Sequence, residues 1–320
     1  MRAARLTGPQ RFELVHAEPP RPQEGQVLVR VQRLSICGSD LRTYDRVFPE
    51  EQYPLELGRP CHECAGVIEE SRAQGYTAGQ RVIVLPMPQH GLAEYIAEWP
   101  YRIVPLPETG DLSTLLMCQP VGTVLYSCQR IGSVLGKRVA ILGQGAIGLA
   151  FTHFMAAQGA RQVIVTDLLP YRLEAARNWG ATHTIDAARE DVSEAVAEIT
   201  GGEMADVVVE VAGCPETANQ VFQVVRKQGL AVLFGLPLHD NVFPFNYDAM
   251  MSKLPTIIVT VGSRTDDPAG YVEQCLDLVQ QGRLDPSGLV THRLPFQEVQ
   301  AAYDMYSQKS DNVVKVMLEL

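Results

Sequence analysis

The sequence lacks several features that would place the chain in a special class of protein. No window approaches the about eighteen uninterrupted apolar residues that a membrane-spanning helix needs. We find no internal repeat and no low-complexity segment, so a repeat architecture is not expected. Positive charge is in short supply, because 27 Lys and Arg stand against 37 Asp and Glu and leave a net charge of -10. This balance argues against nucleic acid or an anionic membrane as a partner.

Cysteine is present, but not in the pattern of a disulfide framework. The seven cysteines are odd in number and scattered along the chain. The first twenty residues include basic side chains but lack the apolar segment of a secretory signal. We therefore expect a cytoplasmic protein whose thiols stay reduced and are available for metal.

Residues 137–167 have the pattern of a βαβ unit that binds a dinucleotide. An apolar strand ends at residue 142, and the motif GxGxxG follows at residues 143–148. Gly143 can make the tight turn, Gly145 lets the backbone approach a pyrophosphate, and Gly148 allows the helix to pack close to its strand. A helix that starts at Ala146 and Ile147 would present free N–H groups to that anion.

The acid at the end of the second strand selects the cofactor. Asp167 follows Gly148 by nineteen residues, which is where a carboxylate accepts hydrogen bonds from the adenosine ribose. The same carboxylate would repel a 2′-phosphate, so NAD is favoured over NADP. Arg172 is either a second contact of the ribose or a surface residue of the next helix.

The rest of the second half alternates between strands and helices. We predict a strand over 205–211, a helix over 215–228 and a strand over 230–235, the rhythm of a doubly wound α/β fold. Ala212 and the pair Gly235 and Leu236 end strands at the carboxyl edge, where such sheets bind ligands, so they are predicted to touch the cofactor.

Four motifs elsewhere in the chain extend this interpretation. CGSD at 37–40, CHEC at 61–64, GLAEY at 91–95 and CQP at 118–120 precede GxGxxG in that order. Together they resemble the zinc-dependent medium-chain dehydrogenase/reductase family, which contains alcohol and sorbitol dehydrogenases. The resemblance covers essentially the whole chain. It implies a GroES-like β-barrel catalytic domain from 1–119 and 265–320, a Rossmann NAD-binding domain from 120–264, and a homodimer or homotetramer.

The resemblance also implies a metal site. Cys37 and His62 correspond to zinc ligands, Glu63 to a ligand or its neighbour, and Gln119 stands where relatives carry Glu or Cys. A thiolate, an imidazole and an oxygen donor with one open position form the catalytic type of zinc site, which lowers the pKa of bound water to roughly 7. Because Gln119 is neutral, we expect stronger acidification of an alcohol and weaker metal retention than Glu would give. Gln119 is either a direct ligand or is replaced by water.

Further roles follow from the same resemblance. Ser39 matches the hydroxyl that contacts the substrate oxygen, and Tyr44 either lines the substrate pocket or packs in the core. Arg42 replaces a histidine that carries the proton to solvent in many relatives, and it meets either an anionic substrate group or a structural partner. Val261 is expected near the nicotinamide, and Lys315 either reaches the pyrophosphate or lies at the surface.

Two departures from the family bear on metal content. The lobe of four closely spaced cysteines that binds a structural zinc in many relatives is missing, so one zinc per chain is expected. Cys61 and Cys64 flank the His-Glu pair and form either buried apolar packing or a separate metal or redox site.

These observations predict a zinc-dependent oxidoreductase that transfers a hydride between a secondary alcohol and NAD. By analogy with sorbitol dehydrogenase-like relatives, Gln119 favours a polyol, sugar, cyclitol or amino alcohol. One alternative is a zinc-free quinone or enone reductase of the same superfamily, against which Cys37, His62 and Glu63 argue. The other is a dinucleotide-binding protein without catalysis.

Overall fold

The structure is a computed structural model, and it describes residues 1–237, 242–262, 265 and 267–320. It divides into two compact units, one of residues 1–122 and 266–320 and the other of residues 123–265. The predicted boundary at residue 264 lies outside the described residues. Across the described part of the chain, no helix combines the length and apolarity needed to cross a bilayer.

The first unit is built mainly from antiparallel strands. Its strands are β1 (Arg2–Gly8), β2 (Arg11–His16), β3 (Val27–Ser35), β4 (Glu63–Ser71), β5 (Arg81–Val84), β6 (Tyr95–Glu98), β7 (Ile103–Pro105), β14 (His292–Pro295) and β15 (Val316–Glu319). Its helices are α1 (Leu41–Tyr44), α2 (Leu112–Leu116), α9 (Pro268–Gln280) and α10 (Val299–Gln308), and α3 (Cys118–Ile131) contains the point of division.

Strand β3 is the centre of the main sheet of this unit. The sheet has seven strands in the order β14-β15-β3-β4-β5-β7, with β6 also paired to β3, and β1 and β2 form a separate hairpin. In the β3–β4 ladder Ser35 is opposite Glu63, so the end of β3 and the start of β4 are neighbours. This register brings the CGSD and CHEC motifs together although they are more than twenty residues apart in sequence.

The second unit is a parallel sheet with helices between its strands. Its strands are β8 (Arg138–Leu142), β9 (Gln162–Asp167), β10 (His183–Asp186), β11 (Ala205–Glu210), β12 (Val225–Leu233) and β13 (Thr256–Val259), and its helices are α4 (Ala146–Ala157), α5 (Pro170–Asn178), α6 (Val192–Thr200), α7 (Pro215–Val224) and α8 (Tyr247–Lys253). The strand order is β10-β9-β8-β11-β12-β13, and all five pairings are parallel. The order reverses between β8 and β11, where a doubly wound sheet opens a crevice at its carboxyl edge.

The predicted helix over 215–228 is wrong at its C-terminal end. Helix α7 stops at Val224, and β12 begins with the next residue, Val225. Gln228 has a φ of 55°, a left-handed conformation that a right-handed helix does not accommodate. The sequence did not predict this turn, because Arg226, Lys227 and Gln228 all have high helix propensity.

Candidate active site

Three candidate metal ligands converge at the neighbouring ends of β3 and β4. Cys37 follows β3 by two residues, and His62 and Glu63 stand at the start of β4. One ligand atom from each of the three residues lies within 4.8 Å of the others. Ser39 lies beside them, and its hydroxyl donates to Cys37 Sγ at 3.2 Å. The structure therefore brings together four of the predicted site residues.

Asp40 holds both the thiol loop and the imidazole, a role that the sequence analysis missed. Its carboxylate is fully buried, with Oδ2 accepting from the backbone N–H of Cys37 at 2.9 Å and Oδ1 lying 3.0 Å from His62 Nδ1. A carboxylate beside one ring nitrogen leaves the other nitrogen for a metal. The signal was present in the sequence, because Asp40 is the last residue of CGSD.

The charges around His62 set its protonation. Burial would lower the pKa of His62, but the neighbouring Asp40 and Cys37 raise that pKa well above its usual value. The imidazole thus lies in a field that attracts positive charge, and a cation in the same place would be attracted as well.

Glu63 is paired with a lysine from the far end of the chain. Lys315 Nζ lies 2.5 Å from Glu63 Oε2 and donates to the Ile36 carbonyl at 2.9 Å, and Lys315 is only 2 % exposed. Burial would raise the pKa of Glu63, but Lys315 and His62 bring it below its usual value. Burial would likewise lower the pKa of Lys315, which Glu63 raises instead.

This pairing contradicts the prediction that Lys315 lies at the surface. Lys315 precedes β15, which pairs with β3 and places the ammonium group beside the start of β4. It is therefore buried within the first unit rather than at the surface, and its contact with a pyrophosphate stays a prediction. The sequence could not show this, because 252 residues separate Lys315 from Glu63.

Among the described residues of the first unit, the buried side-chain oxygens without a hydrogen-bond partner are Ser35 Oγ, Asp40 Oδ1, Glu63 Oε1 and Gln119 Oε1. Glu63 Oε1 and Gln119 Oε1 are both shielded from solvent without a hydrogen-bond partner. Gln119 is 7 % exposed and lies in the first turn of α3. The preceding residue, Cys118, is unsuited to replace it, because burial raises the pKa of this thiol to about 12.

Tyr44 belongs to the core of the first unit rather than to a pocket. Its side chain is fully buried, and its hydroxyl donates to Asp304 Oδ1 at 2.6 Å while Gln300 Nε2 donates to that hydroxyl at 2.8 Å. The ring also packs against Phe12 and Tyr303. Of the two interpretations of Tyr44, the substrate-pocket one is wrong. Arg42 lies half-buried in α1.

The two cysteines that flank His62 and Glu63 pack together. Cys61 Sγ and Cys64 Sγ are 4.0 Å apart, and both residues are buried. Gly91 lies against both sulfurs, so that a Cβ at this position would come within 2.4 Å of Cys64 Sγ. Burial and contact with Cys64 raise the pKa of Cys61, and this is the behaviour of apolar packing rather than of a reactive thiol.

In the second unit, the glycine-rich turn has the geometry that the motif predicts. Gly143 has a φ of 103°, and Gly148 lies so close to the Gly143 carbonyl that a Cβ would come within 2.0 Å of its oxygen. Gly145, the residue before α4, faces open space, since a Cβ there would meet only Arg172 Nη1 at 3.8 Å. Ala146 and Ile147 form the first turn of α4.

Asp167 is fixed by the same turn. Its Oδ2 accepts from the backbone N–H of Gln144 at 2.7 Å, and its Oδ1 accepts from that of Leu169 at 3.0 Å. Arg172 Nη1 lies 3.8 Å from Asp167 Oδ2, and the Arg172 side chain is only 13 % exposed. Arg172 is therefore not an exposed surface residue, and it stands between the acid and the open face of Gly145.

The remaining predicted cofactor residues lie at the carboxyl edge of the sheet. Ala212 packs against Gly143 across the point where the strand order reverses, and Gly235 and Leu236 follow β12. Val261 is half-buried two residues after β13. Among these loops is a buried acid for which the sequence predicted no role, Glu210 at the end of β11.

Comparisons with known proteins agree with both units. Residues 23–108 match the alcohol dehydrogenase GroES-like domain, and residues 146–281 match the zinc-binding dehydrogenase domain. Sorbitol dehydrogenase from Bacillus subtilis is 28 % identical over 99 % of this chain and 97 % of its own, and that from Halalkalibacterium halodurans is 29 % identical over 96 % and 95 %. The structure of alcohol dehydrogenase TADH from Thermus sp. ATN1 superposes with a TM-score of 0.86 at 25 % identity, with both chains fully covered.

These matches confirm the predicted fold class, a GroES-like domain joined in sequence to a Rossmann-type parallel sheet. They also confirm the family that the order of the motifs indicated. A zinc-binding dehydrogenase family implies zinc and NAD(H) in general. The chain belongs to the zinc-dependent medium-chain dehydrogenase/reductase family.

Proposed function

We propose that this protein is an NAD-linked, zinc-dependent dehydrogenase of secondary alcohols. The observation that carries the proposal is the convergence of Cys37, His62 and Glu63, whose ligand atoms lie within 4.8 Å of one another. A thiolate, an imidazole and a carboxylate on neighbouring strand ends form the donor set of an open zinc site. The same convergence speaks against a zinc-free quinone or enone reductase.

The residues of the first unit fit one zinc ion. Glu63 Oε1 and Gln119 Oε1 are buried acceptors without donors, a costly state that a cation would relieve. Cys37 and His62 would hold the ion, Glu63 or Gln119 would add an oxygen, and no structural zinc is expected. Zinc, when bound, polarises the substrate oxygen and makes its hydroxyl proton more acidic.

We assign proton handling and orientation to residues beside the ligands. Ser39, 3.2 Å from Cys37 Sγ, is the hydroxyl that takes the substrate proton and passes it to water. Arg42 cannot carry this proton, since an arginine side chain keeps its proton in proteins. Instead we assign Arg42 to a polar or anionic group of the substrate, beyond the reacting carbon.

The second unit supplies the nucleotide site. The open face of Gly145 and the N-terminus of α4 suit a pyrophosphate, which would find free N–H groups and the positive end of the helix dipole. Asp167 suits the ribose hydroxyls of NAD, with Arg172 beside it. The substrate class we infer is a polyol, sugar, cyclitol or amino alcohol, which agrees with the sorbitol dehydrogenase relatives.

One experiment tests these assignments together. Zinc per chain is measured on purified protein, and NADH formation is followed with a panel of polyols, sugars, cyclitols, amino alcohols and simple primary alcohols. We expect about one zinc per chain, activity on at least one secondary alcohol, and loss of both in Cys37→Ser. The control is Cys128→Ser, which alters a buried thiol of α3 that is not a candidate ligand. Zinc-loaded protein that is inactive on every class would overturn the proposal.

We also infer that the protein forms a homo-oligomer through β13. This strand is the last of the parallel sheet, and Ile257 and Val259 are 41 % and 62 % exposed. An exposed apolar strand at a sheet edge is a template for pairing, and a second copy offers an identical edge.

A further inference from the structure

Glu210 is a buried acid at the cofactor edge of the sheet that none of the assignments above uses. It is 2 % exposed and is the last residue of β11, the strand beside the reversal of strand order. Burying a carboxylate is costly unless donors surround it. Because Glu210 lies in the otherwise apolar run Val207 to Val211, its carboxylate needs specific hydrogen-bond donors.

Those partners come from the loop after β11, the first turn of α7 and the loop after β12. Glu210 Oε1 accepts from the backbone N–H of Gly213 at 2.8 Å and from the Thr217 hydroxyl at 2.7 Å. The backbone N–H groups of Ala212 and Gly235 also lower the pKa of the Glu210 carboxyl, which indicates that they face it. The main-chain carbonyl of Glu210 accepts from Gly235 as well, at 3.0 Å.

The loops are packed so closely around this carboxylate that they leave no room for side chains. A Cβ on Gly235 would lie 2.4 Å from Glu210 Oε2, and a Cβ on Gly213 would lie 2.5 Å from the Leu236 carbonyl oxygen. Gly213 has a φ of 72°, which favours glycine. Ala212 in turn contacts Gly143 of the glycine-rich turn, so three segments of the crevice meet at Glu210.

We propose that Glu210 is a positioning residue for NAD, which fixes the two loops at the nicotinamide half of the crevice. Because a trans peptide is planar, N–H groups that point at the carboxylate turn the carbonyls of Val211, Ala212 and Phe234 to the opposite side. These carbonyls would then accept from the carboxamide and ribose hydroxyls of the nicotinamide half. The inference rests on the proposed NAD function.

The pKa of Glu210 shows how a role in positioning the cofactor can be distinguished from a role in the stability of the fold. Burial raises the pKa of Glu210 above its usual value, although the surrounding donors lower it. A raised carboxyl pKa means that the ionised form is disfavoured in the folded state, so the charge does not stabilise the fold at neutral pH. A neutral replacement of the same shape should therefore harm cofactor binding without lowering the melting temperature.

A second acid on the same strand provides a matched control. Asp206 lies at the other end of β11, where it accepts from Arg138 and Arg226. Burial would raise the pKa of Asp206, but the two arginines lower it to about 2, so this charge does stabilise the fold. Asp206→Asn should lower the melting temperature and leave cofactor binding intact.

The test uses the zinc-loaded, full-length protein with NADH as the calorimetric titrant. For Glu210→Gln we expect the Kd for NADH and the KM for NAD to rise about tenfold, with zinc content, the KM for alcohol and Tm not reduced. For Asp206→Asn we expect a lower Tm and an NADH Kd within about twofold of wild type. Thr217→Val removes one donor to Glu210 and should raise the NADH Kd by a smaller factor, which keeps the test decisive if Glu210→Gln does not fold.

Three results would overturn the inference. The first is wild-type-like NADH binding by Glu210→Gln, or by Thr217→Val if only that variant folds. The second is a parallel loss of Tm, zinc and alcohol affinity in Glu210→Gln, which would make the acid merely structural. The third is wild-type protein that does not bind NADH, and this result alone would also reject the proposed function.

Discussion

His62 and Glu63 are neighbours in sequence, but different distant residues control them. His62 faces Asp40 of the CGSD loop, and Glu63 pairs with Lys315 near the C-terminus. The first partner contacts a candidate metal ligand, whereas the second balances the charge of a buried carboxylate in the same cluster. Two adjacent residues thus depend on two separate parts of the chain, and substitutions of their partners should have different effects.

Lys315→Met should destabilise the metal-free protein strongly. Removing Lys315 leaves the Glu63 carboxylate buried without its partner, which costs about 3–5 kcal/mol for a pair of this kind. Urea unfolding in the presence of a chelator measures the loss. The double variant Glu63→Met with Lys315→Met should recover most of it, and a single variant as stable as wild type would contradict the pairing.

Gln119→Glu should bind zinc more tightly than wild type. The substitution adds one negative charge at a buried oxygen that has no donor, and each added ligand charge tightens cation binding, here by about tenfold. Competition with a chromogenic chelator gives the affinity. Gln129→Glu adds the same charge at an exposed position of α3 and serves as the control. Equal affinity in wild type and Gln119→Glu would argue that residue 119 is not a ligand.

At the scale of elements, the site depends on strand register. β3 and β4 bring Cys37 beside His62, and β15 adds Lys315 through its pairing with β3. In the second unit, the ends of β8 and β11 place Gly143 against Ala212. The functional residues thus lie where strands end, because the strands are rigid and the loops after them are free to carry polar groups.

The change in the free energy of unfolding as the pH is lowered should reveal the ion pairs that link β8 to β11. The folded-state pKa of Asp206 lies at about 2, below the usual value of about 3.9. Its contribution to stability is therefore present above pH 4 and is lost as the pH falls through about 2. Asp206→Asn should lower the free energy of unfolding by about 1–2 kcal/mol at pH 7 and flatten this acid-dependent loss. Unfolding curves across this pH range provide the measurement, and an unchanged acid dependence would contradict it.

At the scale of the whole molecule, the proposed assembly depends on β13. Replacing Ile257 or Val259 by Lys puts an unpaired charge into the inferred interface, which should raise the dissociation constant of the oligomer by about tenfold or more. Light scattering after size exclusion gives the mass. Val47→Lys, at a residue that is 75 % exposed in the first unit, is the control. An oligomer that persists unchanged in both β13 variants would place the interface elsewhere.

Whether a feature could be predicted from the sequence depends on how far apart in the chain the interacting residues lie. The glycine-rich turn was predicted correctly, because Gly143, Gly145 and Gly148 act within one short segment whose conformation their spacing dictates. The helix over 215–228 was predicted too long, because local propensity did not reveal the left-handed Gln228. The role of Asp40 could have been predicted from the local sequence, since Asp40 lies three residues after Cys37. The motif was interpreted only for its thiol and hydroxyl groups.

The sequence by itself determined the family and the alternation of strands and helices in the second unit, and it predicted the candidate metal donors, because these follow from local spacing and residue chemistry. Only the tertiary structure decided that Lys315 neutralises Glu63, that Tyr44 packs in the core, and that Glu210 collects the N–H groups of two loops. The physical reason is that these contacts depend on sheet register and on close packing, which join segments that are far apart in the chain or that turn back on themselves.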